Sequence, residues 1–236
     1  MFTARVDPVA KNPITLSYLV LRSVVGWVAL GLPVALMIMW SFSAQQSPLS
    51  ISGYYYTAAR NLFVGSLCAI ATFQASCRGY DRKDEIAGIL SGICALGVAF
   101  FPTSPERFTP SPKQFAVGIV HLTFASALFL ILAYFCLFLF RTTAKDREMT
   151  RRKVTRNKVY LVCGWIIVAS IAMILLYGLT HRIYVFGTLG ARFFFETTAL
   201  LAFGFAWLVK GETFLKDEEA PGSTSQPDQQ KLVAQA

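Results

Sequence analysis

Arg192-Phe-Phe-Phe-Glu196-Thr-Thr-Ala-Leu-Leu-Ala-Phe-Gly-Phe-Ala-Trp-Leu-Val-Lys210 is an apolar run with one acid near its start and a cation at each end. Its length suits a membrane-spanning helix, which needs ~20 mostly apolar residues. A carboxylate inside such a run must be paired, protonated or functional. Glu196 therefore raises two questions: how many similar runs surround it, and which polar groups they bring to it.

Composition answers the first in outline. Of 236 residues, 55% are hydrophobic and 15% charged, with a net charge of +9. Soluble domains carry roughly 25% charged residues. The charges are also segregated, since long apolar runs alternate with short polar stretches, the pattern of a multi-pass membrane protein. The fold class expected is an all-α, six-helix membrane bundle. Spans are expected at about 14–40, 59–77, 86–101, 115–140, 159–177 and 193–209. Residues 1–13 form a polar N-terminal segment. The tail 211–236 is charged, then rich in Pro, Gly, Ser and Gln, and is expected to be disordered. No soluble domain is large enough to read nucleic acid.

The first span holds Arg22 and Pro33. Arg22 can snorkel to the headgroups or face a partner in the bundle. A cleaved signal is the competing reading, but the run far exceeds the ~7–15 residues of a signal h-region. Tyr54, Tyr55 and Tyr56 then suit a membrane-water interface. In the turn before span three, Asp81 or Asp84 can cap the helix and Glu85 complements its positive end. Within that span, Gly88-Ile-Leu-Ser-Gly92 is a GxxxG that allows close helix approach, including in an oligomer.

Basic residues set the expected topology. Sixteen lie in segments on the N-terminal side of six spans and five on the other. The positive-inside rule then places both termini in the cytoplasm. The strongest contribution is the segment 141–158. Its Arg147, Arg151, Arg152, Lys153, Arg156 and Lys158 are candidate contacts for anionic lipid, at ~1 kcal/mol each near a charged surface.

That topology brings polar groups to one leaflet. Arg60 and Asn61 open span two on the outer side. His121 lies ~9 Å into span four and Glu196 ~5 Å into span six, at 1.5 Å per residue. Arg60, Asn61, His121, Arg192, Glu196 and Ser52 form the candidate polar pocket. The structural alternatives are plain. Arg192 and Glu196 stand at i,i+4 and can pair with each other, Arg60 can pair with Glu196, and His121 can be a hydrogen-bonded packing residue. A zinc hydrolase is disfavoured, because catalytic zinc wants three protein ligands and the chain has two histidines. The five cysteines show no CxxC spacing, so no metal or other cofactor is expected.

The Ser50-Ile51-Ser52 tripeptide after the first span, the histidine of span four and the glutamate opening span six resemble the six-span family of the damage-regulated autophagy modulator (DRAM) and its lipid-remodelling relatives. The layout covers residues 14–210. The basic stretch 141–158 and the charged turn Arg78–Glu85 do not match that family. The resemblance implies a protein tied to lipid organisation, without established catalytic chemistry, and carries Ser50, Ser52, His121 and Glu196 forward as residues of interest. The reading is a non-enzymatic, lipid-interacting or regulatory membrane protein, expected in a bacterial inner membrane with membrane lipids as partners. A proton-coupled transporter using Glu196 and a lipid-modifying membrane enzyme are the alternatives.

Overall fold

The computed structural model describes residues 13–42, 48–76, 82–105, 109–142, 150–180 and 190–215, with side chains described outside 13–18 and 179–180. Helix α1 spans Pro13–Ser41, and a short 3₁₀ helix, Ser52–Tyr56, precedes α2 at Arg60–Ser76. Then come α3 (Arg82–Phe100), α4 (Pro112–Leu137) with a 3₁₀ extension at Leu139–Arg141, α5 (Arg151–Thr180) and α6 (Ala191–Lys210). No strand occurs among the described residues. Among the described residues, four helical stretches are long and apolar enough to cross a membrane: Leu19–Ser41, Pro112–Arg141, Arg151–Gly178 and Ala191–Lys210.

Local chemistry explains several boundaries. Ser111 and Gln114 form a capping box at the start of α4, with Pro112 in the first turn, where its missing N–H costs nothing. Asp84 and Glu85 occupy the first turn of α3, where the helix dipole favours acids. Asp81 lies outside the described residues.

The largest departure from expectation is α5, which begins at Arg151 rather than near 159. Thr150 Oγ1 accepts the N–H of Lys153 at 3.1 Å. The basic residues that follow are good helix formers. Half of the basic segment is therefore helix, and its side chains divide between two faces.

The helices form a closed ring. Each packs on its neighbours in sequence, α6 returns to α1, and α4 touches α6 across the centre. A close backbone approach joins α1 to α6. A Cβ on Gly26 would lie 2.9 Å from the Gly204 carbonyl, and one on Gly204 would lie 2.9 Å from the Gly26 carbonyl. Only hydrogen at both positions lets the backbones come so close.

Helix α3 meets α2 in a related way. Gly88 and Gly92 are buried, and a Cβ on Gly92 would meet the Ala71 carbonyl at 2.9 Å. The glycine face that suggested an oligomer is occupied by α2 of the same chain. Beside it, the Ser91 hydroxyl donates to Gln74 Oε1, while Gln74 Nε2 is buried with no hydrogen-bond partner among the described residues.

Candidate functional site

One end of the bundle is closed by the 3₁₀ helix Ser52–Tyr56. A short helix leaves its first amides without internal partners. Glu196 supplies them: its Oε2 accepts the N–H of Ile51 at 2.8 Å and of Ser52 at 3.4 Å. Ser50, fully buried, accepts the Gly53 N–H at 2.9 Å through its hydroxyl. The exchange is mutual, because the Phe193 N–H in the first turn of α6 donates to the Leu49 carbonyl at 3.0 Å. The Tyr54 and Phe193 rings pack behind this contact, with centroids 6.2 Å apart. Tyr56 donates its hydroxyl to the Thr103 carbonyl at 2.7 Å, tying the same turn to the segment after α3. Burial pushes the Tyr54 and Tyr56 phenols above their ordinary range, so both remain neutral.

The other candidates at this end fall into place separately. Arg60 is exposed, donates to the Tyr55 hydroxyl at 2.7 Å and lies 4.3 Å over the Tyr55 ring. It is engaged with its own turn rather than with Glu196. Asn61 beside it is also exposed. His121 is buried, and its Nδ1 stands 2.6 Å from the Phe101 carbonyl, so it closes the end of α3 from α4. Arg192, half-buried, lies within electrostatic reach of His121. The structure thus joins Ser50, Ser52 and Glu196 in one capping arrangement, and His121 and Arg192 in a second neighbourhood. Arg60 and Asn61 stand outside both.

The opposite end carries the candidate lipid contacts. Arg151, Arg152 and Lys158 are exposed, Lys153 is half-buried and Arg156 is buried. Helical period explains the division: Lys153, Arg156, Tyr160, Cys163 and Ile167 recur at three and four residues and face the bundle. Arg147 lies outside the described residues.

On the other face of α5, an apolar groove of about 580 Å³ runs between α5 and α6. Its floor and walls include Val159, Val162, Ile166, Leu201 and Phe205, and its polar mouth is Thr155 with Lys158. This groove was not legible in the sequence. It arises where α5 and α6 pack with a seam of modest side chains, Ala202 and Cys163, at its base.

No protein-family model, curated protein or solved structure matches the chain.

Proposed function

We propose that this chain is a six-span plasma-membrane protein, with both termini in the cytoplasm, that holds an anionic phospholipid of the cytoplasmic leaflet along α5 and α6. It acts by binding, as a lipid-interacting or regulatory component, rather than by catalysis.

The observation that carries this reading is the groove with Lys158 at its mouth. From Thr155 to Ile166 is eleven residues, ~17 Å of helix at 1.5 Å each. One leaflet of hydrocarbon is ~15 Å deep, half of ~30 Å. An acyl chain fits that depth, and a phosphate at the headgroup level would meet the Lys158 ammonium. Arg151, one turn before Thr155, adds a second exposed cation on the same end of α5.

Membrane embedding is supported by what the bundle leaves uncovered. Trp27, Ile93, Phe115, Leu130, Trp165 and Phe194 are large, apolar and exposed. Soluble monomers rarely expose so much apolar surface, whereas lipid-facing helices must. Ile93 belongs to a row on α3 with Ile86, Ile89 and Phe100, which supports a span for that helix beyond the four long ones. Among the described residues, the polar side chains buried in the middle of the bundle are few, and Ser91 donates to Gln74. That favours lipid binding over a polar transport path.

Native mass spectrometry of the protein released from membranes containing phosphatidylglycerol tests the reading. Lys158→Glu should lower the retained phosphatidylglycerol about fivefold, from ~1 kcal/mol per cation at the surface. Retention equal to wild type in Lys158→Glu would remove the proposed headgroup contact. Protease accessibility of terminal tags in sealed vesicles tests the topology.

A further inference from the structure

The cross-section of the groove between α5 and α6 follows from helical spacing. Thr155, Val159, Val162, Cys163 and Ile166 lie on one face of α5 and form one wall. Thr198, Leu201, Ala202 and Phe205 lie on one face of α6 and form the other. The small members, Cys163 and Ala202, are buried at the base. Val162 and Ile166 on one side, and Leu201 and Phe205 on the other, are exposed and make the lips. Two faces that meet at small side chains and rise to large ones enclose a channel one file wide, open along its length on the outside of the bundle.

The capacity of the channel agrees with that width. At ~30 Å³ for each water-sized group, 580 Å³ has room for about twenty methylenes. That is one acyl chain, and a second would have to lie outside the lips. The walls also suit a plain chain. Thr155 Oγ1 donates to the Arg151 carbonyl at 3.2 Å and Thr198 Oγ1 to the Phe194 carbonyl at 2.9 Å, so both hydroxyls are turned to their own helix. Beyond them the lining offers only the weakly polar thiol of Cys163. A ligand with polar groups along its body would lose their partners on entering. Charge enters the lining at one end, through Lys158, and Arg151 stands exposed one turn before Thr155 at that same end. The complementary ligand has an unbranched apolar tail and a negative group at its head.

Building on the lipid-binding reading above, we infer that the groove is a site for a single-chain anionic phospholipid, a lysophospholipid, with its tail between the lips and its phosphate at Lys158. A two-chain lipid can seat one tail there, but its other tail gains no contact with the groove. The distinction has a physical consequence. A bilayer holds one acyl chain marginally and reversibly, whereas two chains anchor a molecule stably. A single-chain lipid therefore exchanges on and off the membrane, and a groove that encloses its tail retains it where the bilayer alone does not.

The test uses the full-length protein in nanodiscs of phosphatidylcholine. The probe is lysophosphatidylglycerol whose acyl chain carries a diazirine, and the peptides it labels on irradiation are identified by mass spectrometry. Labels should concentrate on residues 155–166 and 198–205. Unlabelled lysophosphatidylglycerol should suppress them at least as well as diacyl phosphatidylglycerol at the same mole fraction. Val162→Trp, which fills the groove, should reduce labelling severalfold. Lys158→Gln, which removes one surface cation, should reduce it about fivefold and serves if Val162→Trp does not fold. Trp165→Ala, exposed on α5 outside the lining, should leave labelling unchanged. Suppression by phosphatidylglycerol with lysophosphatidylglycerol about tenfold weaker would overturn the single-chain assignment and leave the lipid-binding reading standing. Labels spread evenly over the exposed helix faces, and indifferent to both competitors, would overturn the two together.

Discussion

Glu196 accepts the backbone N–H of Ile51 across 145 residues of chain, at 2.8 Å. The acid that looked most like a reactive group within a span is thus an N-terminal cap supplied by another helix. The nearby Phe193 N–H donates to the Leu49 carbonyl, so α6 and the segment before α2 close each other's ends. Two helix starts are satisfied by one contact surface, and a single substitution there affects both.

Glu196→Ala should lower stability by about 2 kcal/mol, in the range for losing hydrogen bonds to a charged partner while leaving amides behind. Arg60→Ala should cost little, because the guanidinium is exposed on Tyr55. The double variant should show the sum of the two losses. Thermal unfolding in detergent gives the cycle, and a coupling above ~1 kcal/mol would mean that Arg60 and Glu196 interact directly.

His121→Leu should cost about 1–3 kcal/mol, since it leaves the Phe101 carbonyl without its side-chain partner in a buried setting. Retained phosphatidylglycerol should be unchanged once the variant is folded, because His121 lies at the far end from Lys158. Loss of lipid without loss of stability would show that His121 contacts the ligand.

Gly204→Ala places a methyl 2.9 Å from the Gly26 carbonyl, a clash with backbone that no rotamer relieves. The expected loss is about 1–3 kcal/mol, as for other overpacked cores. Gly31→Ala, where a Cβ meets nothing within 4 Å, is the matched control and should be neutral or slightly stabilising. Equal unfolding midpoints for the two variants would contradict the close α1–α6 approach.

Val162→Trp should fill the groove between α5 and α6 from a wall residue that is already exposed. Folding should be preserved, while bound phosphatidylglycerol falls severalfold in native mass spectra. Unchanged binding would place the lipid elsewhere on the protein.

That the chain is helical, roughly where five of its helices lie and where its basic residues concentrate could all be read from local composition. Apolar runs of given length and the Pro and charged residues at their ends are local signals, because helix hydrogen bonds close within four residues. The sequence also singled out Ser50, Ser52, His121 and Glu196 as polar groups in costly surroundings. What those groups do was decided only by the tertiary structure. The partners of Glu196 are amides of residues 51 and 52, and that of His121 is a carbonyl at residue 101; backbone groups leave no mark in side-chain chemistry. The early start of α5 placed Arg156 inward and Lys158 outward, turning one basic segment into two surfaces. Lys153 and Lys210, 57 residues apart by their numbers, meet at Phe140 because the helix ring closes there. Such convergence depends on how helices pack around one another, and charge that is dispersed along the chain becomes concentrated only when they do.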